Sequence, residues 1–64
     1  MGEEFTESEK DIHWLYQQPE LGIITEDEED VFIARVWYGM SSMSEKDARK
    51  WALEQIKLDR LNHE

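Results

Sequence analysis

The chain has 64 residues, 39% of them hydrophobic, no cysteine and a formal net charge of −9. That length permits one domain, residues 1–64, near the size at which a single core only just offsets chain entropy, and the missing cysteine excludes disulfides and thiolate zinc sites. Three Trp, two Tyr and two Phe are too much aromatic surface for a disordered chain, so packing or association must supply the stability.

Met1-Gly2-Glu3-Glu4 lacks the basic and apolar regions of a signal peptide, and no run approaches the roughly 20 apolar residues of a membrane span. Glu3 and Glu4 would also oppose docking of a myristoylated Gly2 on an anionic surface. The expected setting is the cytoplasm of a bacterium or viral host, away from membranes, with residues 1–5 flexible. Charge is divided along the chain: residues 1–30 hold eleven acids and one base, residues 31–64 five acids and six bases. A field of one sign over half the molecule selects partners of the opposite sign.

Three capping boxes mark helix starts: Thr6 with Glu9, Thr25 with Glu28, and Ser44 with Asp47. Each hydroxyl can accept from an orphan backbone N–H while the acid three positions on opposes the positive end of the helix dipole. The first helix is expected over about 7–18, stopped by Pro19 and a Glu20-Leu21-Gly22 turn. Ile12, Leu15 and Tyr16 share its apolar face, and Trp14 is expected to point the other way, beside Lys10 and His13.

A second helix is expected over 26–39, ended by Gly39 in a left-handed conformation. Val31 to Tyr38 is rich in β-branched and aromatic residues, so an α-β-β-α order pairing this run with Leu21–Thr25 is the alternative. The capping box and the acidic first turn favour the helix. A third helix over about 45–61 puts Ala48, Trp51, Ala52 and Leu58 on one side and Lys46, Arg49, Lys50, Lys57 and Arg60 in a stripe on another, with Leu53 exposed among them. Met43 and Ala48 form a candidate hydrophobic staple. The fold class expected is therefore all-α, a small three-helix domain in which helices two and three form an antiparallel hairpin that brings Glu26–Asp30 toward Lys57 and Arg60.

The run Glu26-Asp27-Glu28-Glu29-Asp30 lacks the alternating ligands and central glycine of a calcium loop, and His13 and His63 have no ligand cluster, so neither a metal nor a cofactor is expected. Ser41, Ser42 and Ser44 have no nearby histidine and there is no phosphate-binding glycine loop, so no enzyme activity is expected. Val31-Phe32, Arg35-Val36-Trp37 and Gly39-Met40-Ser41 ahead of a helix resemble the first helix and turn of the helix-turn-helix domains of sigma-like transcription factors. The following helix runs on without the break such a recognition helix needs.

The function expected is that of an acidic protein-binding regulator, inhibitor or adaptor acting by stoichiometric association with a basic surface of a partner protein; a phage-type inhibitor of a nucleic-acid enzyme is one object of this class. Glu26, Asp27, Glu28, Glu29 and Asp30 would steer the encounter. Trp14, Trp37 and Tyr38 would supply its desolvated centre, because adjacent Trp37 and Tyr38 cannot both be buried by one helix face. The alternatives are nucleic-acid binding through Lys46, Arg49, Lys50, Lys57 and Arg60, opposed by the overall charge, and a self-associating structural protein, a homodimer with Trp37 near its contact.

Overall fold

The computed structural model describes residues 6–62 and shows three α-helices in the order α1 (Glu7–Tyr16), α2 (Glu26–Gly39) and α3 (Glu45–Asn62). The all-α reading holds, and no strand occurs among the described residues. Residues 1–5, His63 and Glu64 lie outside them.

Both early capping boxes close reciprocally. Thr6 accepts from the Glu9 amide at 3.1 Å and its own amide donates to Glu9 at 2.9 Å; Thr25 and Glu28 do the same at 3.2 and 3.1 Å. At α3 the Ser44 hydroxyl accepts from the Asp47 amide at 3.2 Å, and no return bond from Asp47 occurs among the described residues. An aspartate is one methylene shorter than the glutamates that close the other two boxes.

The first helix ends at Tyr16 rather than Gln18. Gln18 precedes Pro19 and is driven to extended backbone, φ −95° and ψ 103°, by the proline ring. A single 3-10 turn, Pro19–Leu21, then lowers Leu21 into the core, and Gly22 follows at φ +63°, a region that favours glycine. The second helix ends at Gly39, but for a different reason from the one the sequence suggests. Met40 follows in right-handed geometry, φ −67° and ψ −10°, and Gly39 has no positive φ. Its value lies in proximity: a Cβ there would stand 3.1 Å from the Ala48 Cβ, so glycine and alanine let α2 and α3 approach closely at the hairpin end.

Why α2 is a helix follows from its neighbours. Phe32, Val36 and Gly39, at i, i+4 and i+7, are buried, while the rest of the apolar run forms partly or fully exposed faces. Phe32 and Val36 join Leu15, Leu21, Ala48, Ala52, Leu53 and Ile56 in one core, with Trp14, Ile24, Met43 and Trp51 packed against it. Met43 and Ala48, the staple pair, thus both reach this core.

Three side chains depart from their expected places. Trp14 does not point away; it is half-buried and stacks on Phe32, ring centroids 5.9 Å apart. Leu53 is buried, not exposed, because it belongs to the core cluster that also holds Leu15 of α1 and Leu21 of the turn. Leu58 is half-exposed and makes no part of the core.

α2 and α3 form an antiparallel hairpin, with Gly39 beside Ala48 near the turn and Glu28 bonded to Arg60 at the open end. α1 lies across one face of it, running antiparallel to α2: Trp14 meets Phe32 and Tyr16 meets Glu29. Asp11, 1% exposed, ties α1 to α3 by accepting from Arg49 Nε at 2.7 Å.

Candidate partner-binding groove

The basic stripe of α3 is largely used up inside the fold. Arg49 bonds Asp11 at 2.7 Å and Glu45 at 2.9 Å. Lys57 lies 2.8 Å from Glu20 and 3.6 Å from Glu54, so it serves the turn after α1 rather than the acidic run. Arg60 donates to Glu28 at 2.7 and 2.8 Å and to the carbonyls of Leu21 and Ile23 at 2.7 and 2.8 Å, fastening the α1–α2 connection to α3. Lys46 and Lys50 remain exposed, without an ion pair among the described residues.

Arg60 holds the Glu28 carboxyl below the ordinary glutamate value of 4.5, against an opposing effect of burial, and Glu28 in turn raises Arg60. Folding therefore favours ionised Glu28: its contribution is complete above about pH 4.5 and is lost as pH falls through the lower folded value. Glu28→Gln should be less stable than the natural chain at neutral pH and lose less stability on acidification below that value. Urea titrations at stepped pH measure this, and equal slopes for both chains would contradict it. The Glu20–Lys57 pair shifts the same way, Glu20 down and Lys57 up, but is solvent-exposed and contributes little.

The acidic run is divided by the helix it begins. Glu28 turns inward to Arg60, and half-buried Glu29 accepts from the Tyr16 hydroxyl, whose pKa it raises. Glu26, Asp27 and Asp30 stay exposed. Glu26, Asp30, Ile33 and Trp37 recur at i, i+4, i+7 and i+11 and so share one face of α2. That face borders an open groove of about 460 Å³ between α1 and α2. Ile12, Tyr16 and Ile33 give it apolar walls, Glu9, Glu29 and Asp30 give it an acidic rim, and Ser8 and His13 complete its α1 side. A smaller cleft of about 380 Å³ is lined by Asp11, Trp37, Met40 and Glu45.

Of the partner-binding residues read from the sequence, the fold gathers Glu26, Glu29, Asp30 and Trp37 on this side. Tyr38 faces α3, its ring 6.0 Å from that of Trp51; Trp14 is covered; Glu28 is committed to Arg60. Sequence reasoning missed Ile12 and Ile33 as groove walls, since only the packing of α1 on α2 brings them together. It also missed the Asp11–Arg49 pair, although Asp11 lies four residues before core Leu15 and hence on the same face of α1. No three His, Cys, Asp or Glu side chains among the described residues are grouped to hold a metal, and no described helix is long and apolar enough to cross a membrane. Compared with protein-family models, curated proteins and solved structures, the chain matches none.

Proposed function

We propose that the protein is a small acidic binding module, a regulator, inhibitor or adaptor, that associates stoichiometrically with a basic surface of a partner protein through the α1–α2 groove. The observation that carries this is the combination of apolar walls with an acidic rim. An Arg or Lys side chain buries its aliphatic stem against apolar surface while its head stays polar, and this groove offers Ile12 and Ile33 for the stem and Glu9, Glu29 and Asp30 for the head. Trp37, exposed on the same face of α2, supplies an aromatic surface for a second cation or an apolar anchor. The ten excess negative charges of residues 1–30 raise the encounter rate with a basic surface and make it salt-sensitive. Association rather than catalysis is the activity proposed, and the cysteine-free composition suits a reducing bacterial or viral-host cytoplasm.

Affinity capture from cell extract tests the reading with two charge-reversed chains. A basic protein retained by the natural chain should be lost with Glu29→Lys/Asp30→Lys and kept with Asp47→Lys, which lies on α3 outside the groove. Equal retention by all three would refute the groove.

For the nucleic-acid alternative, three of the five stripe cations already have internal carboxylates, which leaves Lys46 and Lys50 on a molecule of charge −9. Gel shifts should accordingly show no DNA binding tighter than micromolar near physiological salt. A nanomolar complex weakened by Lys50→Glu would make nucleic acid the leading partner.

A further inference from the structure

Asp11 is buried, yet it lines the smaller cleft together with Glu45, Trp37 and Met40. Both acids are held by one guanidinium: Arg49 Nε donates to Asp11 Oδ1 at 2.7 Å, and Arg49 Nη2 donates to Glu45 Oε2 at 2.9 Å. The second oxygens, Asp11 Oδ2 and Glu45 Oε1, receive no hydrogen bond from the described residues and keep their acceptor lone pairs. Two carboxylates against one guanidinium leave a net charge of −1, and Arg49 is not among the described residues of the lining. The remaining walls are Trp37 and Met40, an indole and a thioether that both stay partly exposed.

We infer that this cleft is a lysine site, taking the ammonium head of one lysine side chain from the partner's basic surface. The inference rests on the reading of the protein as a binder of basic surfaces, and adds which cation it selects. The uncompensated negative charge calls for a single cation, and an indole face attracts one that lies over it. The free oxygens belong to two different carboxylates, which suits an ammonium with its three divergent donors. A guanidinium instead favours a planar fork onto both oxygens of one carboxylate, and here each carboxylate already gives one oxygen to Arg49. The four-carbon stem of lysine has the indole and Met40 to lie against. Because Arg49 fixes both acids, the acceptors are in place before the ligand arrives, and little ordering is lost on binding.

Position joins the cleft to the groove. Trp37 stands one helical turn beyond the groove wall Ile33, so a segment that follows α2 from the groove toward the hairpin turn meets the cleft next. The lysine site is thereby a second anchor for the same basic segment, placed where Trp37 borders both depressions.

Titration of the whole isotope-labelled chain with n-butylammonium, the lysine side chain without its backbone, tests this at constant ionic strength. The Trp37 indole and the Met40 methyl should shift together and saturate, with a midpoint on the order of tens of millimolar for a ligand of so few atoms. The same concentrations of 1-butanol, the stem without the charge, should leave both unmoved, and n-propylguanidinium, the arginine counterpart, should bind more weakly. Glu45→Gln, which keeps an oxygen for Arg49, and Trp37→Leu should each weaken n-butylammonium about threefold with an unchanged circular dichroism spectrum. Absence of a saturating shift at Trp37 and Met40 overturns the proposal, as does an equal response to 1-butanol. Tighter binding of n-propylguanidinium overturns the choice of lysine, and shifts confined to Ile12 and Ile33 would move the ammonium to the groove. The titration needs no partner protein, whereas capture of a basic protein turns on Glu29 and Asp30, so the two proposals fail separately.

Discussion

Replacing Arg49 by Met is expected to remove a large share of the chain's folding stability. Arg49 is the partner of Asp11, the buried acid that joins α1 to α3, and without it a carboxylate is held out of water uncompensated. Breaking a buried pair from one side costs about 3–5 kcal/mol, and a chain of this length has about 3–10 kcal/mol in total. The double change Asp11→Leu/Arg49→Met should recover most of the loss, because two apolar side chains in contact carry no stranded charge. Thermal unfolding followed by circular dichroism separates the three chains. A single variant melting within a few degrees of the natural protein would show that the pair is dispensable.

The second large effect is expected from Phe32→Ala. Phe32 is fully buried, stacks on Trp14 and stands in the α2 face that meets α3, so truncation removes its transfer energy and leaves a cavity that α1 cannot fill without moving. Such changes cost about 3–5 kcal/mol. Trp37→Ala is the control: the residue is 56% exposed, and surface truncations of this kind fall within about 0.5 kcal/mol. Urea unfolding should therefore show a large drop in midpoint for Phe32→Ala and almost none for Trp37→Ala. Similar losses for both would mean that Trp37 packs more deeply than the fold shows.

What the sequence reveals here is what is local. Thr6–Glu9 and Thr25–Glu28 are legible because a capping box needs only residues three apart, and those two starts decide the helical class over the β-branched composition of Val31–Tyr38. Where burial depends on a neighbour in space, helical spacing alone does not give it. Leu53 lies within a basic stripe on α3 yet is buried, because the arginine and lysine heads beside it bend to acids on the other elements while its short side chain stays in the core. Trp14 falls beside Lys10 and His13 on α1, and only Phe32, arriving from α2, covers it. Gly39 marks the right boundary for a reason no single helix contains, the approach of Ala48. The acidic run and Trp37 are visible as candidates, but the groove that unites them depends on Ile12 and Ile33 meeting across two helices.

A basic segment of another protein is proposed to lie in the α1–α2 groove. The most direct measurement is a methyl and indole chemical-shift titration of the isotope-labelled chain with the protein that affinity capture identifies. The Ile12 and Ile33 methyls and the Trp37 indole should shift together and saturate at one equivalent, and the shifts should diminish as salt is raised. Saturating shifts confined to Val31, Trp51 and Leu58, with Ile12 and Ile33 unmoved, would contradict it.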